Sequence, residues 1–217
     1  MFSDDSTNHP AAHSIKRKVE QVLTVFKTID EDTARFQQAT GLHCFPKCNG
    51  CCIRPHIEAT ILEFLPLAYH LYLENQAEEW WNRMKEMTTD PHCGLLKPRI
   101  TAEKGFCIAY DYRPLVCRLF GYSAVLDKNQ RPQLATCEIL KKNRTEIFQK
   151  AVADIEKGLP VPVMKNYFFH LYSIDMTLTR EFYDISTALF RALEEVLFFS
   201  SYEKWDPLCL PAKKEGG

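Results

Sequence analysis

The chain has 217 residues, room for one domain or at most two small ones with a sizeable core. Apolar residues make up 46% and charged residues 25%, ordinary globular proportions that exclude wholesale disorder. Its 27 Lys plus Arg against 28 Asp plus Glu leave a net charge of −1, which excludes a global basic field for nucleic acid or anionic lipid.

The first residues, through Asn8-His9-Pro10, are polar and read as a tail, with no apolar stretch of the kind a secretory signal needs. Ile15, Val19, Val22, Phe26 and Ile29 follow at alternating spacings of four and three. That stripe predicts an amphipathic helix, which Phe36 extends and Gly41 stops. From Leu42 to Ile53 the periodicity vanishes among cysteine, proline, glycine and asparagine, so a loop is expected. Helical pattern returns from Ile57 to Met87. Pro66 marks a kink there or the first turn of a new helix, because proline lacks the interior N–H donor. Between Cys93 and Cys137, Pro98, Gly105, Pro114, Gly121 and Pro132 predict irregular chain, with at most short strands near Phe106 to Tyr110 and Tyr122 to Leu126. Leu140, Ile147, Ala151 and Ile155 keep helical spacing up to Gly158-Leu159-Pro160, and Leu178, Phe182, Ile185, Leu189 and Leu193 mark a last helix. No repeat or low-complexity tract interrupts this order. No apolar run reaches the ~18 residues that cross a bilayer.

The expected fold is mainly α, with helices enclosing an irregular cysteine-rich metal-binding segment and at most short strands. Residues 1–41 form a tail and helix, 42–137 the cysteine-cluster region, and 138–217 a helical region packed on it, in one globular domain overall.

Nine cysteines are present, and eight lie between Cys44 and Cys137, where uniform scatter would place about four. Lacking a signal or a span, the chain reads as cytoplasmic. In a reducing compartment dense thiols point to metal binding or catalysis before disulfides. The first cluster is Cys44-x3-Cys48-x2-Cys51-Cys52. Turns at Pro46 and Asn49-Gly50 let several sulfurs approach one centre at little entropic cost. Thiolates are soft donors that favour zinc, Cu(I) or iron-sulfur clusters over magnesium or calcium. Neighbouring side chains diverge as a rule, so Cys51 and Cys52 imply either two sites or one thiol outside direct coordination. The second cluster, Cys107-x9-Cys117, has Cys93 before it and Cys137 after it.

These motifs resemble the YkgJ-like cysteine-cluster family, described as zinc- or iron-chelating. Its pattern opens with Cys-x(2–3)-Cys-x2-Cys-Cys and continues with Cys-x-x-Tyr-x-x-Arg-Pro-x-x-Cys-Arg, then a last cysteine. The resemblance runs from Cys44 to Cys137 and includes Tyr110, Arg113-Pro114 and Arg118. Gly121 departs from it, standing where a proline commonly follows the aromatic residue. The resemblance implies chelation of zinc or iron, an iron-sulfur cluster included. Through flagellin lysine methylases with a comparable cluster, it also implies a link to methyl transfer.

The expected metal ligands are Cys44, Cys48, Cys51, Cys52, Cys93, Cys107, Cys117 and Cys137, with a metal ion as partner and neither a membrane nor nucleic acid expected. Eight thiolates suit two closed zinc sites of four cysteines each, or one four-cysteine cluster supported by the other thiols. Cys209, beside Pro207, reads as a structural or exposed thiol. Arg113 and Arg118 read equally as carboxylate partners and as groups that offset thiolate charge. His43, His56 and His92 read as solvated, Tyr110, Asp111 and Tyr112 as packing and turn residues, and Pro114 as the start of a helical turn. The competing functional reading is a metal- or cluster-dependent enzyme of methyl-transfer or S-adenosylmethionine chemistry. Cys44-x3-Cys48-x2-Cys51 has the spacing of radical S-adenosylmethionine enzymes, although long helices do not suit their barrel. Lys16-Arg17-Lys18 and Lys141-Lys142 read as solvated helix faces.

Overall fold

The first helix follows the apolar stripe read from the sequence: α1 (Pro10–Thr40) buries Ile15, Val19, Val22, Phe26, Ile29 and Phe36. It ends where Gly41 takes a φ of 73° and its N–H bonds the Gln37 carbonyl. In this computed structural model residues 10–45, 48–97 and 106–201 are described. The tail before Pro10 and Cys209 lie outside them.

After the cysteine loop come β1 (Glu58–Ala59), α2 (Ile61–Leu73) and α3 (Ala77–Glu86). Pro66 lies well inside α2, not in a first turn, and the break comes at Asn75. There φ is 56°, and the Gln76 and Asn75 N–H groups bond the carbonyls of Leu71 and Tyr72. Asparagine tolerates that left-handed conformation, and the two bonds satisfy carbonyls a helix end would leave open. The irregular segment follows, with β2 (Leu96–Lys97), β3 (Phe106–Cys107), a 3₁₀ turn at Tyr110–Tyr112, α4 (Leu115–Leu119), β4 (Ser123–Leu126) and β5 (Pro132–Ala135). The strands form two-residue or four-residue antiparallel pairs: Leu96 opposite Cys107, Ser123 opposite Ala135, and Ala59 opposite Tyr183 of β6 (Tyr183–Asp184).

The C-terminal region is more divided than its periodicity suggests. Helices α5 (Glu138–Asn143) and α6 (Thr145–Glu156) break at Arg144, and α6 stops at Gly158, whose φ is 101°. Helix α7 (Met164–Ile174) is an addition to the expected elements. Exposed Phe169 and Tyr172 blur its apolar face, which buries Tyr167 and Leu171. Helix α8 (Ile185–Ser201) begins later than expected. Leu178 lies in a turn, where the Asp175 carboxylate accepts the N–H groups of Thr177 and Leu178. The stripe from Leu178 onward therefore joined a buried turn residue to a true helical face.

Helix α8 packs against α2 and α3, and α2 packs against α1. Their fully buried residues, among them Val22, Ile29, Leu62, Leu65, Leu189 and Leu193, form the main core. Each such side chain contributes about 1.5–3 kcal/mol through lost apolar surface. A smaller cluster of Phe36, Leu42, Tyr122, Ala151 and Ile155 holds α6 to the end of α1. Among the described residues no helix is long and apolar enough to cross a membrane.

One ion pair closes this bundle. Lys18 Nζ of α1 lies 2.7 Å from Asp175 Oδ2 after α7. Burial pushes the Asp175 carboxyl up, but the Lys18 ammonium and the Leu178 and Thr177 N–H groups outweigh it and hold the pKa low. A lowered folded pKa gives stability that is complete above the unfolded value of ~3.9 and is lost as pH falls through the folded one. Lys18→Met is therefore expected to cost about 1 kcal/mol at pH 7. Urea unfolding at a series of pH values should show that cost shrinking below pH ~4, whereas a cost that grew on acidification would refute the pairing.

Candidate metal centre

Each cysteine is carried by a different kind of local structure. Cys44, Cys48, Cys51 and Cys52 occupy the loop between α1 and β1, Cys93 the turn before β2, Cys107 strand β3, Cys117 helix α4, and Cys137 the N-cap of α5. The loop is fixed at several points. The Cys44 N–H donates to Tyr122 Oη at 2.6 Å, Cys52 and Ile53 N–H groups converge on the Asn49 carbonyl, and the His56 N–H reaches the Pro91 carbonyl. A Cβ at Gly50 would stand 2.4 Å from Ile139 Cδ1 of α5, so the loop packs closely on that side chain. The Cys93 turn is anchored to α8 by the Gly94 N–H donating to Ser186 Oγ at 3.0 Å. Pairing of Leu96 with Cys107 then sets Cys107 beside it.

Seven of the eight cysteines line one cavity of about 580 Å³: Cys44, Cys48, Cys51, Cys52, Cys93, Cys107 and Cys117. Helix α1 supplies the facing wall with Asp30, Thr33, Ala34 and Gln37. Cys137 does not line the cavity; its Sγ accepts the Leu140 N–H at 3.4 Å, although its charge still acts on Cys44. All eight are free thiols. Cys51 Sγ and Cys52 Sγ lie 3.9 Å apart, so this vicinal pair does not diverge as expected. The tight turn through Asn49 brings both sulfurs to one side. Among the described residues no three His, Cys, Asp or Glu side chains converge as a ligand set around one point.

The thiols differ in how readily they ionise. Burial pushes the Cys44 and Cys93 thiols up to about 11, and also raises Cys107 and Cys117, with neighbouring thiols adding to most of these shifts. Only Cys51 moves down, chiefly because the Cys52 thiol bonds its charged form, and Cys52 moves up in return. Several thiolates in one half-buried cavity repel one another, and a soft cation is what allows them to ionise together. The donor set, all sulfur and in excess of four, fits zinc, iron or an iron-sulfur cluster.

The two arginines divide the roles left open between them. The Arg113 guanidinium lies 3.4 Å from the Tyr110 ring centroid; its charge adds to the fall at Cys51 and opposes, without reversing, the rise that burial causes at Cys107 and Cys117. Its positive charge favours the thiolate form of these three cysteines. Arg118 is buried and structural. It donates to Asp30 Oδ2 at 2.5 Å, to the Arg113 carbonyl at 2.7 Å and to the Asp111 carbonyl, and lies over the Phe26 ring. Tyr112 stacks on His70, and Tyr110 is exposed at the cavity edge. His56 and His92 are exposed beside Asp184 and Asp90, whereas His43 lines the cavity.

Glu63 is the positioning residue the sequence reading missed. Fully buried in α2, it accepts the Thr60 N–H and hydroxyl on one oxygen and the Leu115 N–H on the other. It thereby joins the start of α2 to the start of α4, which carries Cys117. The signal was there: Thr60-x-x-Glu63 before an apolar run is a capping-box pattern.

No curated protein and no solved structure matches the chain. A family model does match, over residues 43–150, which include all eight clustered cysteines; it is the CxxCxxCC family, described as "Putative zinc- or iron-chelating domain". Through residues 43–150, where the resemblance of the cysteine motifs also lies, the chain belongs to the CxxCxxCC family.

Proposed function

We propose that this protein binds zinc or iron through thiolates drawn from Cys44, Cys48, Cys51, Cys52, Cys93, Cys107, Cys117 and Cys137. The observation that carries the reading is that seven of these cysteines, spread over 74 positions of chain from Cys44 to Cys117, line one cavity. Free thiols filling a core would have no reason to share a single cavity that an arginine also lines. Closed four-thiolate coordination supplies structure or electron transfer, and an open position supplies Lewis acidity. This chain's own residues hold the thiols in place, offset their charge through Arg113, and exclude part of the solvent. Anaerobic purification followed by metal and acid-labile sulfide analysis, with a visible spectrum, tests the reading. Zinc without sulfide supports closed zinc sites, iron with equimolar sulfide supports a cluster, and failure to take up either metal refutes the proposal.

The cavity volume favours a second reading. About 580 Å³ is within the roughly 300–1,000 Å³ of small-molecule sites and exceeds what an ion among thiols fills. An enzyme of methyl-transfer or S-adenosylmethionine chemistry would use that space. Titration of the metal-loaded protein with S-adenosylmethionine decides this: a spectral change with calorimetric binding supports it, and the absence of both removes it.

A further inference from the structure

A second cavity of about 630 Å³ adjoins the cysteine cluster, and Cys51 and Cys117 border both. Its walls come from the loop after Cys52, β1, α2, α4, β4 and α7, with Phe182 just before β6. The interior is aromatic and apolar. Phe168 and Phe182 stack with ring centroids 5.4 Å apart, and Phe120 and Met164 complete the surface. Phe182 and Val125 are each 51% exposed, so apolar surface faces water at this opening. A cavity of this size lined by aromatic rings is the usual form of a small-molecule site.

Charge at the same cavity narrows the ligand. Arg54 and Lys165 line it, and neither has an ion pair among the described residues. Lys165 Nζ lies only over the Phe169 ring, at 5.4 Å. Glu58 is exposed, and His56 is turned to Asp184 at 3.4 Å. Glu63 is occupied by its bonds to Thr60 and Leu115. Two unpaired cations therefore stand beside an aromatic surface.

We infer that this second cavity binds an aromatic carboxylate, with the ring system laid against the Phe168–Phe182 pair and Met164 and the carboxylate at Arg54 and Lys165. The aromatic faces accept a flat ring by offset stacking, and the guanidinium accepts a carboxylate in its fork. A ligand seated there lies directly behind Cys51 and Cys117.

Calorimetry of the full chain with 2-naphthoate, and with the neutral 2-naphthalenemethanol, tests the site. The carboxylate is expected to bind about tenfold more tightly than the alcohol. Arg54→Glu and Lys165→Glu should each weaken naphthoate by about tenfold and leave the alcohol nearly unchanged. Phe182→Ala, at an exposed position far in sequence from any thiol, should weaken both probes by about threefold to tenfold. Metal content is measured on every variant, so loss of this site and loss of the metal centre are read separately. Equal affinity for the two probes, wild-type naphthoate affinity in both charge variants or in Phe182→Ala, or no binding at millimolar naphthoate would each overturn the inference.

Discussion

Cys51→Ser and Cys117→Ser are each expected to strip most of the bound metal and to open the segment between Leu42 and Cys137 to proteolysis. Cys51 has the widest set of sulfur neighbours: it touches Cys52, and its charge acts on Cys44, Cys93, Cys107 and Cys117. Cys117 is carried by α4, which Glu63 ties to the core through Leu115. A serine hydroxyl is neither soft nor ionised near neutral pH, so the site loses a donor it cannot replace. Structural zinc supplies ~10–16 kcal/mol, comparable with the whole ~5–15 kcal/mol stability of a domain. Among its described residues the segment has only short ladders of backbone bonds to offset its ordering entropy, whereas α8 keeps its own buried face. Limited proteolysis should thus cut first between 42 and 137, with the C-terminal helices surviving longer. Cys137→Ser should lose less metal, because that sulfur stands outside the cavity and caps α5. Cys209→Ser should resemble wild type. Full metal content and unchanged protease resistance in both Cys51→Ser and Cys117→Ser would show that the ligands lie elsewhere.

Arg118→Met should destabilise the fold by about 2–4 kcal/mol, seen as a fall of roughly 5–15 °C in Tm. The Arg118 side chain is 4% exposed and supplies donors to Asp30 of α1 and to the carbonyls of Asp111 and Arg113. Methionine fills similar volume and keeps contact with Phe26, but it leaves both carbonyls unpaired. Asp30, 54% exposed, returns to water, and this keeps the cost below that of a fully orphaned buried charge. Arg118→Lys should rescue little, since one ammonium cannot reproduce a planar fork reaching three acceptors. Thermal unfolding of both variants checks this, and a Lys variant as stable as wild type would show that charge alone matters at this position. Arg113→Met should differ in kind, lowering metal retention more than stability, because Arg113 lines the thiol cavity and its charge acts on Cys117.

Much of this architecture is legible in local pattern. The stripe from Ile15 to Ile29 is α1, Gly41 and Gly158 stop helices in left-handed conformations, and the short strands near Phe106 and Tyr122 fall at β3 and β4. What was not legible depends on contacts distant in sequence. Helix α7 hides its period behind exposed Phe169 and Tyr172, which pack on Phe168, and Leu178 reads as helical although its backbone is turned by Asp175. The same holds at the centre. Spacing groups eight cysteines, seven of which line one cavity, but Arg113 and Arg118 look alike until Asp30 claims one of them. Cys51 and Cys52 look divergent until the Asn49 turn aligns their sulfurs.

The central claim is that the clustered thiols bind zinc or iron, and X-ray absorption at the metal edge of the anaerobically purified, full-length protein tests it most directly. The expected result is a first coordination shell dominated by sulfur, at ~2.3 Å if the metal is zinc, that loses sulfur in Cys51→Ser. A shell of nitrogen and oxygen only, or protein that retains neither metal after reconstitution, would contradict it.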